Sequence, residues 1–153
     1  IKLQMNGGPI CGCGDTGCLE AFASGPAIVA MAQEYIKGGK STKFREMAAA
    51  EGGEITPYMV AKAAEEGDPV AKRIFEIVGE YIGIGLTSVI NLLNPERVII
   101  GGGVAESGEL LLGPIRKTIK ERAMVVAGNA VEIVPAQLGN SAGVIGASML
   151  IEG

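Results

Sequence analysis

Three cysteines fall within eight residues near the start of the chain, in the run Cys11-Gly12-Cys13-Gly14-Asp15-Thr16-Gly17-Cys18, and Leu19-Glu20 follows directly. They are the only cysteines, and the 153 residues contain no histidine. Thiolates this close, separated by glycines that reach backbone conformations closed to other residues, can wrap around one soft metal ion such as zinc. The metal would in turn hold each sulfur as thiolate. A structural zinc takes four ligands and this run offers three. The fourth would come from water, a carboxylate, another chain or a residue absent from this polypeptide. The plainer alternative is three free thiols in a glycine-rich turn.

Glu20 lies two residues past Cys18. A carboxylate fixed by a metal loop suits bidentate hydrogen bonding to neighbouring hydroxyls, as on a sugar. A solvated glutamate in the first turn of a helix, favoured there by the helix dipole, explains the position equally well. Further along, Val98-Ile99-Ile100 runs into Gly101-Gly102-Gly103. A strand entering such a loop lets a phosphate or an adenosine approach bare backbone amides. The loop is neither a P-loop nor a G-x-G-x-x-G fingerprint, and an ordinary strand-to-helix turn would look the same.

A catalytic set is not evident. Without histidine a general base falls to the carboxylates, and Asp15 and Asp68 are the only aspartates. Asp15 sits inside the cysteine loop, and Asp68 precedes a proline in a helix-capping context. No G-x-S-x-G nucleophile elbow is present.

The elements that must position these groups read as α/β. Residues 2–17 read as loop, with a turn at Asn6-Gly7-Gly8-Pro9, and a helix starts near Cys18. Ala27, Ile28, Met31, Ala32, Tyr35 and Ile36 mark one face of a second helix that ends at Gly38-Gly39. The polar, alanine-rich stretch 40–53 has no clear assignment. Thr56-Pro57 opens a short helix and Asp68-Pro69 a long one that reaches Leu93 before Asn94-Pro95. From Gly79 onward the long helix is apolar on most sides, with Gly83 and Gly85 inside it. That profile predicts a central helix whose glycines admit a neighbour closely. A strand over 97–101, an amphipathic helix over 110–122, a strand over 131–134 and a small-residue helix from Ala142 to Ile151 complete the order.

Composition sets outer bounds. Hydrophobic residues at 48% supply a core for one domain, and a formal charge of −4 without any basic block argues against nucleic acid as a main partner. Uninterrupted apolar runs, such as Val98–Ile100 and Leu110–Leu112, are too short for a bilayer, so no membrane association is expected. Reduced-looking cysteines at metal spacing point to the cytoplasm. The opening residue is Ile1 rather than methionine, which suggests a fragment or processed product.

Taken together, Cys11-x-Cys13-Gly14-x-x-Gly17-Cys18-x-Glu20 with Ala23-Ser24-Gly25, Leu93-Asn94-Pro95-Glu96-x-Val98-Ile99-Ile100-Gly101-Gly102-Gly103, and Leu138-Gly139-Asn140-x-Ala142-Gly143-x-x-Gly146-Ala147 resemble the ROK family of sugar kinases and repressors, over nearly the whole chain. The resemblance implies an actin-like, hexokinase-type (ribonuclease H-like) lobe with a short sheet packed by helices. It makes residues 1–153 a carboxy-terminal lobe, with residues 1–18 its zinc-binding loop, and implies an amino-terminal lobe that carries the first phosphate loop and a catalytic aspartate. It implies zinc on Cys11, Cys13 and Cys18 with a histidine at or just before Ile1 as fourth ligand. Glu20 would contact sugar hydroxyls and Gly101, Gly102 and Gly103 the nucleotide. The intact protein would phosphorylate a hexose, glucose by default, with ATP and Mg²⁺, as a homodimer or higher homo-oligomer. A sugar-responsive repressor, which would add nucleic acid as a partner, and a zinc-binding assembly module are the alternatives.

Overall fold

The structure is a computed structural model that describes residues 1–150. Its first 18 residues are not a bare loop. Lys2 bridges to Cys18 and Ile10 to Thr16, both antiparallel, so the cysteine run returns beside the chain start. The backbone amide of Leu19 donates to the carbonyl of Ile1 at 2.9 Å and secures that return.

Eight helices follow among the described residues. After α1 (Leu19–Ala23), α2 (Gly25–Lys37) starts at Ser24, whose hydroxyl accepts from the Ala27 amide, with Pro26 in its first turn. The unassigned stretch holds α3 (Lys43–Ala50), which buries Phe44 and Ala48 and is capped by Thr42. Thr56 caps α4 (Pro57–Glu65), as its sequence signature predicts. Asp68 begins α5 (Pro69–Leu93) by accepting from the Val70 and Ala71 amides at 2.8 and 2.9 Å. The same carboxylate accepts from the Lys43 amide at 2.7 Å, tying α3 to the start of α5.

The chain then rises through β1 (Arg97–Ile100), passes a 3-10 turn (Gly103–Ser107), descends α6 (Glu109–Arg122), crosses α7 (Val125–Ala130), and rises again through β2 (Glu132–Pro135). The strands form a two-stranded parallel sheet, with Arg97 opposite Glu132 and Ile100 opposite Pro135. The expected second strand is displaced by one residue, because Val131 is taken as the cap of α7, an element the sequence reading did not contain. The last helix, α8, spans Ala142–Met149, and the expected end at Ile151 lies outside the described residues.

The central helix is α5. A Cβ at Gly79 would lie 2.6 Å from Pro114 Cβ, one at Gly83 2.6 Å from Thr118 Cβ, and one at Gly85 3.0 Å from Leu19 Cδ2. Glycine at the first two positions lets α6 dock backbone to backbone, and at the third lets α1 sit against α5, as their spacing implied. Ile74, Phe75 and Val78 of α5, Leu111 and Ile115 of α6, Val60 of α4 and Ile28 of α2 make one continuous core. Uninterrupted run length understates α5: over 25 residues it is long and apolar enough to cross a membrane by composition. Its packing against α1, α2, α4, α6 and α7 gives it instead the place of a core helix.

Candidate metal centre and substrate site

The cysteine loop is shaped by its backbone. The amide of Cys11 donates to the Asp15 carbonyl at 2.8 Å and that of Gly14 to the Cys11 carbonyl at 2.9 Å, closing a tight turn. Gly14 and Gly17 have φ of 87° and 74°. A side chain at Gly17 would collide with the Gln4 carbonyl oxygen, so this position requires glycine twice over. The side chains of Lys2 and Asp15 pair at 2.6 Å and clasp the turn to the first residues. Hydrogen bonding from Lys2, then from the Thr16 amide, holds the Asp15 carboxyl below its usual range.

This backbone brings all three sulfurs within 4.8 Å of one another, and Cys13 Sγ lies 3.8 Å from Cys18 Sγ. Tetrahedral coordination with Zn–S near 2.3 Å places sulfurs about 3.8 Å apart, so the spacing already suits a zinc ion. The donor set fits as well: three clustered soft sulfurs, each able to offer one ligand atom. Cys11 is buried, Cys18 half-buried and Cys13 exposed. Backbone hydrogen bonding at Asp15, then bonding to the other two thiols, pulls the Cys13 thiol down. Burial, then the neighbouring thiols, pushes Cys18 up to about 11. A bound cation would reverse that second effect by compensating the desolvated negative charge.

Glu20 stands in the first turn of α1, exposed, and the Cys11 thiol donates to its Oε2 at 3.5 Å. Four of the seven sequence-derived candidates (Cys11, Cys13, Cys18 and Glu20) therefore share one cluster. The other three, Gly101, Gly102 and Gly103, form a separate feature at the carboxyl end of β1.

At that end a Cβ on Gly101 would lie 3.3 Å from Ala136 Cβ, while beside Gly102 and Gly103 a Cβ would meet nothing within 4 Å. Gly102 has φ of 92°. The result is a strip of uncovered backbone where the strands end, the usual place for ligands in an open α/β sheet. Gly103 also lines a cavity of about 350 Å³, walled by Ile28, Tyr58, Lys62, Phe75, Val104 and Ser107. Sequence reading missed Tyr58 and Lys62. They sit on α4, more than thirty residues before the glycine loop, and no local pattern links the two.

The aspartates are both engaged structurally, Asp15 with Lys2 and Asp68 with three backbone amides. Neither is placed as a free base.

Residues 1–153 match the ROK family over their whole length. The chain belongs to the ROK family. It is 36% identical over 152 residues to a glucokinase of Halalkalibacterium halodurans, covering 99% of this chain and 46% of that protein. It is 33% identical over 142 residues to a xylose repressor of Caldicellulosiruptor bescii, covering 93% of this chain and 35% of the repressor. Among solved structures, a ROK family glucokinase from Streptomyces griseus in complex with glucose and AMPPNP superposes with a TM-score of 0.82 at 36% identity, over all of this chain and 50% of that one. The ROK chain therefore has the actin-like, hexokinase-type fold of these sugar kinases, and it spans about half the length of the glucokinase relatives it matches.

Proposed function

We propose that this ROK chain is the carboxy-terminal lobe of an ATP-dependent hexose kinase of the cytoplasm, with glucose as the default substrate, assembling as a homodimer or larger homo-oligomer. The observation that carries the reading is the uncovered backbone at Gly102 and Gly103, with Gly103 lining the cavity between α4 and the 103–107 turn. Amides without side-chain cover suit phosphate oxygens, and a neighbouring cavity with Tyr58, Phe75 and Val104 in its walls suits a planar base. Lys62 and Ser107 supply the polar contacts. Cys11, Cys13 and Cys18 would hold a structural zinc, with a histidine from outside these 153 residues, at a position just before Ile1, as fourth ligand. Zinc would supply no chemistry to the reaction, only rigidity to the loop that ends in α1. Glu20, at the start of α1, would then accept hydrogen bonds from sugar hydroxyls. The base that takes the hydroxyl proton, and the Mg²⁺ that accompanies ATP, belong with an amino-terminal lobe closing over this face.

A coupled assay on the full-length protein with ATP, Mg²⁺ and a panel of hexoses tests the reading. Glucose turnover that is lost in Gly103→Val with the fold intact is the expected result. The xylose repressor relative favours one second reading, a sugar-responsive repressor built on the same lobe. Absence of turnover together with sugar-sensitive DNA binding by the full-length protein would establish that reading in place of the kinase.

A further inference from the structure

The three thiols are not equivalent, and their differences define a second chemistry for the same loop. Cys13 is exposed and Cys18 half-buried, with their sulfurs 3.8 Å apart, whereas Cys11 is 6% exposed and donates to Glu20. A disulfide needs about 2.05 Å between sulfurs, so one side must move by somewhat under 2 Å. The Cys18 backbone is the more constrained of the two, because it stands at the N-cap position of α1, bridges to Lys2, and is followed by Leu19, whose amide donates to the Ile1 carbonyl. Cys13 is the freer to move. It is exposed and flanked by Gly12 and Gly14, and a Cβ at either glycine would meet nothing within 4 Å, so there is room on both sides for its segment of the turn to shift.

We propose that Cys13 and Cys18 are an oxidative modification site, forming an intramolecular disulfide with a peroxide when the metal is absent. The Cys13 sulfur attacks the peroxide, the O–O bond breaks, and Cys13 becomes a sulfenic acid as an alcohol or water leaves. The Cys18 sulfur then attacks Cys13, the S–O bond breaks, and water leaves with the Cys18 proton. Two thiols are oxidised by two electrons and one peroxide is reduced. The product retains a single thiol, Cys11, which is too few sulfurs for the metal. Peroxide and zinc therefore compete for the same pair, and reduction by a thiol restores the metal site. The proposal rests on the sulfur cluster alone and is independent of the kinase reading.

The test uses the 153-residue chain, stripped with a chelator and treated with hydrogen peroxide. The expected product is lighter by about 2 Da, keeps one thiol titratable in denaturant, and recovers all three with dithiothreitol. Cleavage before Asp15 separates Cys11 and Cys13 from Cys18. The two pieces remain joined until reduction, and Cys11 alone is alkylated beforehand. Cys11→Ser still loses about 2 Da and Cys18→Ser does not, while the zinc-loaded chain keeps its three thiols under the same treatment. A link from Cys18 to Cys11, the same mass loss in Cys18→Ser, or oxidation to sulfinic acid or intermolecular dimers instead would each overturn the proposal. The mapping on the unsubstituted chain decides the matter even if a variant does not fold.

Discussion

Glu20→Ala separates sugar binding from folding. In this structure the Glu20 side chain is exposed, and among the described residues its side-chain hydrogen bond is the one from Cys11 at 3.5 Å. Its position in the first turn of α1 adds a favourable interaction with the helix dipole of about 0.3–1 kcal/mol. Truncation should therefore cost the fold no more than about 1 kcal/mol, and zinc content should hold, since Glu20 is not among the clustered sulfurs. If the carboxylate meets sugar hydroxyls in the closed site, its loss removes charged hydrogen bonds worth about 1.5–3 kcal/mol, or roughly ten- to a hundredfold in KM. Steady-state kinetics on the full-length protein, read beside thermal denaturation and metal analysis, separates the two effects. An unchanged sugar KM would refute the assignment and leave Glu20 a solvated helix residue. A collapse of zinc content in the same variant would show instead that the carboxylate serves the metal.

Gly83→Ala gains about 1 kcal/mol of helix propensity but puts a methyl 2.6 Å from Thr118 Cβ and 3.1 Å from the Ile115 carbonyl, and overpacking of about 1–3 kcal/mol should win. Gly113→Ala, with nothing within 4 Å of its added methyl, should stabilise instead by up to about 1 kcal/mol; equal signs in chemical denaturation would count against the packing argument. Asp68→Ala strips the acceptor from three backbone amides at a residue 4% exposed. It should cost about 2 kcal/mol or more of stability with no specific effect on sugar or nucleotide affinity. Zinc affinity should climb as pH rises from 6 to 9, since Cys18, pushed up to about 11, stays protonated across that window and must release its proton to the metal. Competition with a chromophoric chelator reads this directly, and a pH-independent affinity would rule out the thiols as ligands.

What the sequence made legible follows from how locally each feature is encoded. The cysteine cluster was readable because its sulfurs are at most seven positions apart, and the structure gathers them by one tight turn and two antiparallel bridges. The helix starts at Thr56 and Asp68 were readable because cap and proline are adjacent. The glycines of α5 announced a close neighbour because their absence of side chains on an apolar helix has few other uses, though nothing in α5 named Pro114 and Thr118 as the atoms that fill the space. In α3 the apolar face is only Phe44, Met47 and Ala48, too little contrast against a polar, alanine-rich background, and a carboxylate 25 residues away helps to hold its start. Helix α7 escaped for a related reason: Val125 and Val126 are β-branched and exposed, so propensity points away from helix while the Met124 amide, bonded at 2.9 Å to Asn91 Oδ1, fixes where it begins. The cavity beside Gly103 is the limiting case. Its walls come from α2, α4, α5 and the 103–107 turn, so it exists only after the core of Ile28, Val60 and Phe75 has set those elements side by side. A loop of bare glycines can be read as a place where something approaches; the volume that decides what approaches is a property of packing.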